Sequence, residues 1–295
     1  MRPVSESLQE YARGVAGGLL FSLPLLYTME VWWAGFISHP WRLCGYVLAT
    51  FVLLLGYNEF AGLRRDTCFR EVAIDSIEEM GIGLVVAAVA LWLLGRVTFG
   101  TPATEAVGQI VVEAMTVAIG VSVGTAQFGA ADGDDKRAAG DGKGAAGDGK
   151  GEGGGVSDGE GAGGVRHFGG QVVVSLCGAV LFASNLAPTE EIVQIAIEIS
   201  AWRLLGLAFA SLALAALILY YSEFAGAEKH VRFDRHHDVL IGTVVTYAVA
   251  LSVSAAILWF FGRFDGCSLA VAAGQIVVLG VAATLGSAAG RLLLQ

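Results

Sequence analysis

The chain has 295 residues, of which 55% are hydrophobic and 15% are charged, and its mean hydropathy is +0.65. Soluble globular proteins carry about 25% charged residues, so this composition excludes an ordinary soluble domain. The formal net charge of −9 partly reflects one acidic stretch, so it does not indicate the charge of a substrate. Apolar runs of about 20 residues recur along the rest of the chain, which is the length that crosses a bilayer as a helix.

The sequence therefore predicts an all-α membrane protein of about eight transmembrane helices. The predicted spans are 14–36, 41–61, 77–97 and 105–127, followed by 170–187, 203–225, 239–261 and 269–290. Between the two groups, residues 129–169 are mainly Gly, Asp, Lys and Ala, and they lack the apolar side chains needed to form a core. We expect a first four-helix repeat at 1–128, a disordered cytoplasmic linker at 129–169, and a second four-helix repeat at 170–295.

Charge and tryptophan positions predict the orientation in the membrane. Only four of the 18 Lys and Arg residues, Arg42, Arg96, Arg203 and Arg263, fall on the side opposite the termini and the linker. The positive-inside bias therefore places both termini and the linker in the cytoplasm. All six tryptophans lie near the helix ends assigned to the outer face, where indole rings prefer the headgroup layer.

Short motifs occur twice in the same order. Glu59-Phe60-Ala61-Gly62 returns as Glu223-Phe224-Ala225-Gly226, and Gly108-Gln109-Ile110-Val111-Val112 returns as Gly274-Gln275-Ile276-Val277-Val278. Because each half holds four predicted spans, we expect parallel repeats related by a pseudo-two-fold axis along the membrane normal. A small-xxx-small stripe in the last helix of each half, Gly120/Gly124 and Gly286/Gly290, predicts a close central contact, for example between these two helices.

Two Thr/Glu stretches near the outer face are candidate cation sites. Thr28 and Glu30 follow Pro24, and in the second half Thr189, Glu190 and Glu191 follow Pro188. A proline-broken helix that carries Thr and Glu would offer oxygen ligands and a freed carbonyl to a cation. Two alternatives remain. Glu30 is either an interfacial glutamate or a pathway residue, and Pro188 either breaks a span or, as we favour, opens an interfacial helix through residue 199.

Three further polar residues lie within the predicted spans. Gln109 and Gln275 occupy matching positions about one turn inside the outer ends of their helices. Glu113 lies one turn deeper on the face of Gln109, and the matching residue in the second half is Leu279. We expect Glu113 and Glu30 to face one polar cavity, with Gln109 lining it; satisfaction of Glu113 by a neighbouring hydroxyl within the core is the alternative.

Glu59 and Glu223 lie at the cytoplasmic ends of their helices, where the helix dipole disfavours a carboxylate. Pairing with nearby Arg64, Arg65, Lys229 or Arg232 is favoured over an inner ion gate. The histidine-containing segment 230–238 has no second ligand cluster, so we expect no metal site. No nucleophile elbow, P-loop or dinucleotide motif is present, and we expect neither an enzyme, nor a cofactor, nor nucleic-acid binding.

Residues 21–33 (FSLPLLYTMEVWW) and 185–191 (NLAPTEE) resemble two signature stretches of a family of uncharacterised bacterial integral membrane proteins, known only as a conserved domain of unknown function. The resemblance covers both halves but not the linker. It implies a bacterial membrane location and supplies no activity.

Two functions fit these observations. The first is a bacterial inner-membrane channel or secondary transporter for a small cation or proton. Its expected partners are the lipid bilayer, the transported cation and, in a homo-oligomer, further copies of the chain. The second is a non-transporting membrane scaffold or sensor, whose acidic residues are interfacial or salt-bridged. The two differ on whether the acidic residues converge on one pathway.

Overall fold

A computed structural model describes residues 4–61, 69–141, 160–225 and 235–293. Within these ranges the regular structure is entirely helical. The ten helices are α1 (Val4–Leu26), α2 (Met29–Ile37), α3 (Pro40–Phe60), α4 (Phe69–Leu93), α5 (Ala103–Asp141), α6 (Glu160–Leu186), α7 (Glu190–Glu198), α8 (Ala201–Ala225), α9 (Arg235–Phe260) and α10 (Leu269–Leu293). We call α1–α5 the first half and α6–α10 the second half. The expected all-α membrane fold is confirmed.

Seven of the described helices are long and apolar enough to cross a membrane: α3, α4, α5, α6, α8, α9 and α10. The spans of α3 and α8 are only 17% buried, and large apolar side chains such as Val52 and Phe209 are exposed on them. Such surfaces are expected to contact lipid in a membrane protein. By contrast, 78% of the Ala103–Ala126 span of α5 is buried, so α5 lies at the centre of the first half.

The two halves have the same order of helices. A long first helix packs along the last helix of its half, α1 on α5 and α6 on α10. A nine-residue helix comes second in each half, α2 or α7, and also packs on that last helix. Both short helices lie at one end of the bundle, which we call the α2–α7 end, and the opposite end is the linker end. Contacts between the halves run from α3 to α6 and from α1 and α5 to α6.

The two glycine stripes make close contacts within their own halves. A Cβ atom on Gly124 would lie 2.6 Å from the Cα atom of Gly17 in α1, so only glycine permits this approach of α5 to α1. In the second half, Gly286 packs in the same way against the backbone of Gly178 in α6. The close approach was predicted, but the suggested contact between the two stripes is wrong. Small residues show that a backbone comes near without showing which helix supplies it.

The first predicted span, residues 14–36, is divided into α1 and α2. The backbone at Thr28 is extended, with φ −96° and ψ 114°, which ends α1 and starts α2. The Thr28 hydroxyl donates to the Pro24 carbonyl at 2.6 Å, and the Trp32 indole donates to the Leu26 carbonyl at 3.2 Å. Side chains therefore take over carbonyls that the helix break leaves open. In the second half, a separate short helix follows Pro188, as favoured, and is α7.

Helices extend into the stretch that the composition predicted to be a linker. α5 continues to Asp141 and α6 begins at Glu160, while residues 142–159 lie outside the described residues. A helix that continues from a stable span gains one hydrogen bond for each added residue without a new nucleation step, and the alanines at 130, 131, 138 and 139 favour it.

Candidate functional site

A cavity of about 510 Å³ lies at the α2–α7 end, where the two halves meet. Its wall combines Glu30 from α2, Glu190 from α7, Arg42 from α3, and Arg263 and Asp265 from the loop after α9. We call it the α2–α7 cavity. Glu30 and Glu190 were both predicted to lie on a pathway, and the fold brings them to the same cavity although 160 positions separate them. Glu191 is exposed and is not among the lining residues.

The predicted threonine ligands are not among the residues that line this cavity. Thr28 and Thr189 precede the first residues of α2 and α7, and neither forms a side-chain cap. Each hydroxyl instead donates to a carbonyl of the preceding helix, Thr28 to Pro24 and Thr189 to Leu186 at 2.8 Å. Both threonines therefore stabilise the break between a long helix and a short one.

An ion pair and aromatic rings join the halves around the α2–α7 cavity. The Arg42 guanidinium contacts the Asp265 carboxylate at 3.3 Å and lies 5.6 Å from the centroid of the Trp259 ring. Tyr46, one turn along α3, stacks on Phe260 with 4.3 Å between the ring centroids. These contacts fix the start of α3 against the end of α9.

Glu113 lies deeper, in α5, and its side chain is completely buried. Neither of its carboxyl oxygens has a hydrogen-bond partner. The Tyr46 hydroxyl shares a hydrogen bond at 3.2 Å with Thr116, which lies one turn along α5 from Glu113, and it also approaches Ser184 of α6. The Ser184 hydroxyl is buried and makes no hydrogen bond of its own. An unpartnered carboxyl group thus lies one helical turn from a set of hydroxyls at the place where α3, α5 and α6 come together.

An apolar layer separates the Glu113 site from the α2–α7 cavity. Leu25, Val31, Val112 and Phe260 form a buried cluster, against which Tyr46 and Phe261 also pack. Phe261 lines the cavity, whereas Tyr46 bonds to Thr116, one turn from Glu113 in α5. Glu30 and Glu113 therefore do not share a cavity in the described part of the chain. The spacing along the helices placed both residues near one end, but it did not show that four apolar side chains lie between them.

The matching glutamines Gln109 and Gln275 are both buried, and each has an unpartnered amide oxygen. The Gln109 amide nitrogen is 3.4 Å from the Glu105 carboxylate, and the Gln275 amide nitrogen donates to the Arg263 carbonyl at 3.3 Å. Gln275 therefore supports the loop that carries the cavity residue Arg263. Neither glutamine is among the residues that line the α2–α7 cavity.

The inner pair of predicted acids is only partly described. Glu59 is exposed at the end of α3 and takes part in a polar interaction, while Glu223 lies in α8 and its side chain is outside the described residues. The cations proposed to pair with them, Arg64, Arg65, Lys229 and Arg232, also lie outside the described residues, as does most of the histidine-containing segment. Among the side chains that are described, no group of three or more His, Cys, Asp or Glu residues could hold a metal ion.

Sequence reasoning missed a second polar site in the first half. Asn58 of α3 donates to the Glu79 carboxylate at 2.8 Å and to the buried Ser76 hydroxyl at 3.1 Å, and it accepts from the buried Ser122 hydroxyl at 3.1 Å. The network joins α3, α4 and α5 near the linker end. Asn58 beside the repeated Glu59 motif was an available signal, because an amide within an apolar helix needs a partner.

Comparisons with known proteins agree with the fold. Residues 10–294 match a family described as "Putative integral membrane protein (DUF2391)". Searches of curated proteins and of solved structures gave no match. The matched range covers nearly the whole chain, including both halves. The chain therefore belongs to the DUF2391 family of integral membrane proteins.

Proposed function

We propose that this protein moves a proton or another small monovalent cation across the membrane, as a channel or secondary transporter. In this proposal the Glu113 carboxyl group binds the cation during its passage, near the contact between the two halves. The observation that supports this most strongly is that the Glu113 carboxyl group is fully buried without a hydrogen bond to either oxygen. An ionised carboxylate in such a place would cost many kcal/mol of solvation free energy unless a cation compensated it. A proton or an alkali-metal ion is the simplest compensation.

The surroundings of Glu113 suit a hard cation. The hydroxyls of Tyr46, Thr116 and Ser184 lie in the same region of the fold without bonding to the carboxyl group, and hard cations prefer oxygen ligands. The α2–α7 cavity, with Glu30 and Glu190 on its wall, would attract cations from the adjacent solution. If the side chains of the apolar layer, which include Phe260, moved apart, the cavity would be connected to Glu113. The described structure is then a closed state.

We also infer that the two halves are copies of one unit, inserted as parallel repeats. Three structural matches support this: the short helices α2 and α7, the glycine contacts of α5 and α10 with the first helix of each half, and equivalent turns at Gly95 and Gly262 with φ +69° and +70°. Glu113 corresponds to Leu279, which is completely buried. An apolar side chain therefore fits this place in the fold, so packing alone does not explain the acid in the first half.

The proposed setting is the bacterial inner membrane, with both termini and the linker in the cytoplasm. The charge distribution supports this orientation, because 14 of the 18 Lys and Arg residues fall on the side of the termini and linker. Alkaline phosphatase fused after Gly151 should be inactive in cells, and green fluorescent protein fused there should fluoresce. An active phosphatase fusion would contradict the orientation.

Flux measurements in liposomes test the transport proposal. The parent protein, Glu113→Gln and Glu198→Gln are reconstituted at equal density, and fluxes of H⁺, Na⁺, K⁺ and Ca²⁺ are measured. Glu198 is an exposed acid at the end of α7 and serves as the matched control. We expect flux of one monovalent cation in the parent and in Glu198→Gln, and none in Glu113→Gln. If the parent behaves like protein-free liposomes for every ion, the proposal is wrong and a non-transporting scaffold or sensor remains.

A further inference from the structure

The turns after α4 and α9 align the two halves residue by residue. The Gly95 amide donates to the Trp92 carbonyl and the Arg96 amide to Leu91, and the same bonds join Gly262 to Trp259 and Arg263 to Leu258. The difference in numbering at these turns is 167. Counting back along α4 and α9 from them, Glu79 corresponds to Thr246 and Asp75 to Gly242. The grooves between α4 and α5 and between α9 and α10 are therefore equivalent places.

In the second half this groove contains a fixed cation. The Arg291 guanidinium of α10 donates to the Thr246 hydroxyl at 3.0 Å, to the Gly242 carbonyl at 3.1 Å and to the Gln171 amide oxygen of α6 at 3.0 Å. Three neutral oxygen acceptors from two neighbouring helices thus hold the positive charge in place. The glycine stripes align α5 with α10 at a difference of 166, so the residue that corresponds to Arg291 is Thr125.

In the first half the same groove contains a carboxyl group where the second half has a hydroxyl. Glu79 is partly buried and accepts from Asn58, while Ser122 lies within hydrogen-bonding reach of its carboxyl group. Asp75 and Glu78 add to the negative potential at Glu79, while Glu78 accepts from the Tyr11 hydroxyl of α1 and Asp75 has an interaction of its own. The position that supplies the guanidinium in the second half is a threonine here. The acceptors are therefore more negative than in the second half, and the position that matches Arg291 supplies no positive charge.

We propose that Glu79 binds an exchangeable monovalent cation, either a proton or an alkali-metal ion, at the place where the second half holds the Arg291 guanidinium. For an alkali-metal ion, the Glu79 carboxylate, the Ser122 hydroxyl and the Asn58 amide oxygen supply ligands of the right type. Like Glu113, this acid belongs to the first half only. The site is a binding site and stands independently of whether the protein transports ions, because its test measures binding.

The test compares cation-dependent stability of the full-length protein and its variants in detergent. One arm titrates LiCl, NaCl or KCl against choline chloride at constant ionic strength and pH, and the other varies pH at constant salt. Melting temperature is followed for the parent, Glu79→Gln and Glu71→Gln, the last being an exposed acid in the first turn of α4. We expect a saturable rise with one alkali-metal ion, or with acidification, in the parent and in Glu71→Gln, and its loss in Glu79→Gln.

Two further variants keep the proposal testable if Glu79→Gln does not fold. Thr125→Arg places an arginine at the position of Arg291 and should abolish the cation response by filling the groove. Ser122→Ala removes one ligand and should weaken the apparent affinity for an alkali-metal ion by about tenfold or more, since a hydrogen bond to a charged group is worth about 1.5–3 kcal/mol. If the parent shows no response in either arm, or if Glu79→Gln or Thr125→Arg responds as the parent does, the proposal is wrong.

Discussion

Replacing Glu113 by leucine should make the protein more stable and abolish its transport activity. Both carboxyl oxygens are buried without partners, and each unsatisfied buried polar group costs about 1–3 kcal/mol. Leucine has a similar volume and already occupies the corresponding position, Leu279, where it is fully buried. The substitution should therefore raise the free energy of unfolding by about 2 kcal/mol or more. At about 2–4 °C for each kcal/mol, the melting temperature should rise by about 4 °C at least.

The measurement is thermal unfolding followed by tryptophan fluorescence, with parent and variants in the same detergent and in a choline buffer without alkali-metal ions, so that no such ion stabilises the parent through Glu113. Leu279→Gln is the matched control, because it buries an amide at the equivalent position and should lower the melting temperature. A Glu113→Leu protein that melts below the parent would refute the reasoning, since it would mean that the carboxyl group makes stabilising interactions in the folded state. Equal flux through Glu113→Leu and the parent would separately refute the role of Glu113 in transport.

Three further substitutions test the packing and the ion pairs by the same melting assay. Arg291→Leu should destabilise the protein by about 1.5–3 kcal/mol, because it removes charged hydrogen bonds to three acceptors; an unchanged melting temperature would show that the guanidinium is not held as described. Gly124→Ala should lower the free energy of unfolding by about 1–3 kcal/mol, because its new Cβ atom would meet α1. Gly206→Ala is the control and should be neutral, since nothing lies within 4 Å of its Cβ position. Equal effects of the two substitutions would contradict the close contact of α5 with α1. Asp265→Asn should cost less than about 1 kcal/mol, since Asp265 is 69% exposed, and a larger loss would mean that the pair with Arg42 is shielded from solvent.

The sequence was sufficient to predict the helical membrane fold because each span is a local property of composition. Short helix α7 was also predictable, since Pro188 and the two following glutamates mark a helix start. The division between α1 and α2 was less predictable. Pro24 indicated a disturbed helix, but the position of the break depends on Thr28 and on Trp32, which bonds to a carbonyl six residues earlier.

The arrangement of the site could be predicted only where the repeated order of the helices constrains it. Glu30 and Glu190 lie in the first turns of α2 and α7, the short helices that come second in the two halves, and they line the same cavity. Glu191, which matches Glu30 in position, does not line it. The surroundings of Glu113 could not be inferred in this way, because Tyr46 and Ser184 come from helices that hydropathy alone does not place beside α5. Glu79 was missed for a related reason. It lies near the start of the predicted span 77–97 and there resembles an interfacial acid, whereas α4 begins at Phe69 and tertiary packing brings Asn58 against Glu79.

Chemical modification of Glu113 tests the central claim most directly. A membrane-permeant carbodiimide reacts with protonated carboxyl groups, and mass spectrometry of the reconstituted protein identifies the modified residue. If Glu113 exchanges its cation during transport, the reagent should modify Glu113 in the parent, and the transported ion should slow the reaction at constant pH if that ion is other than the proton. The contrary result is that the reagent modifies only exposed acids such as Glu198 and leaves Glu113 unmodified under every condition in which the protein remains folded. Glu113 would then stay enclosed, which would contradict the account.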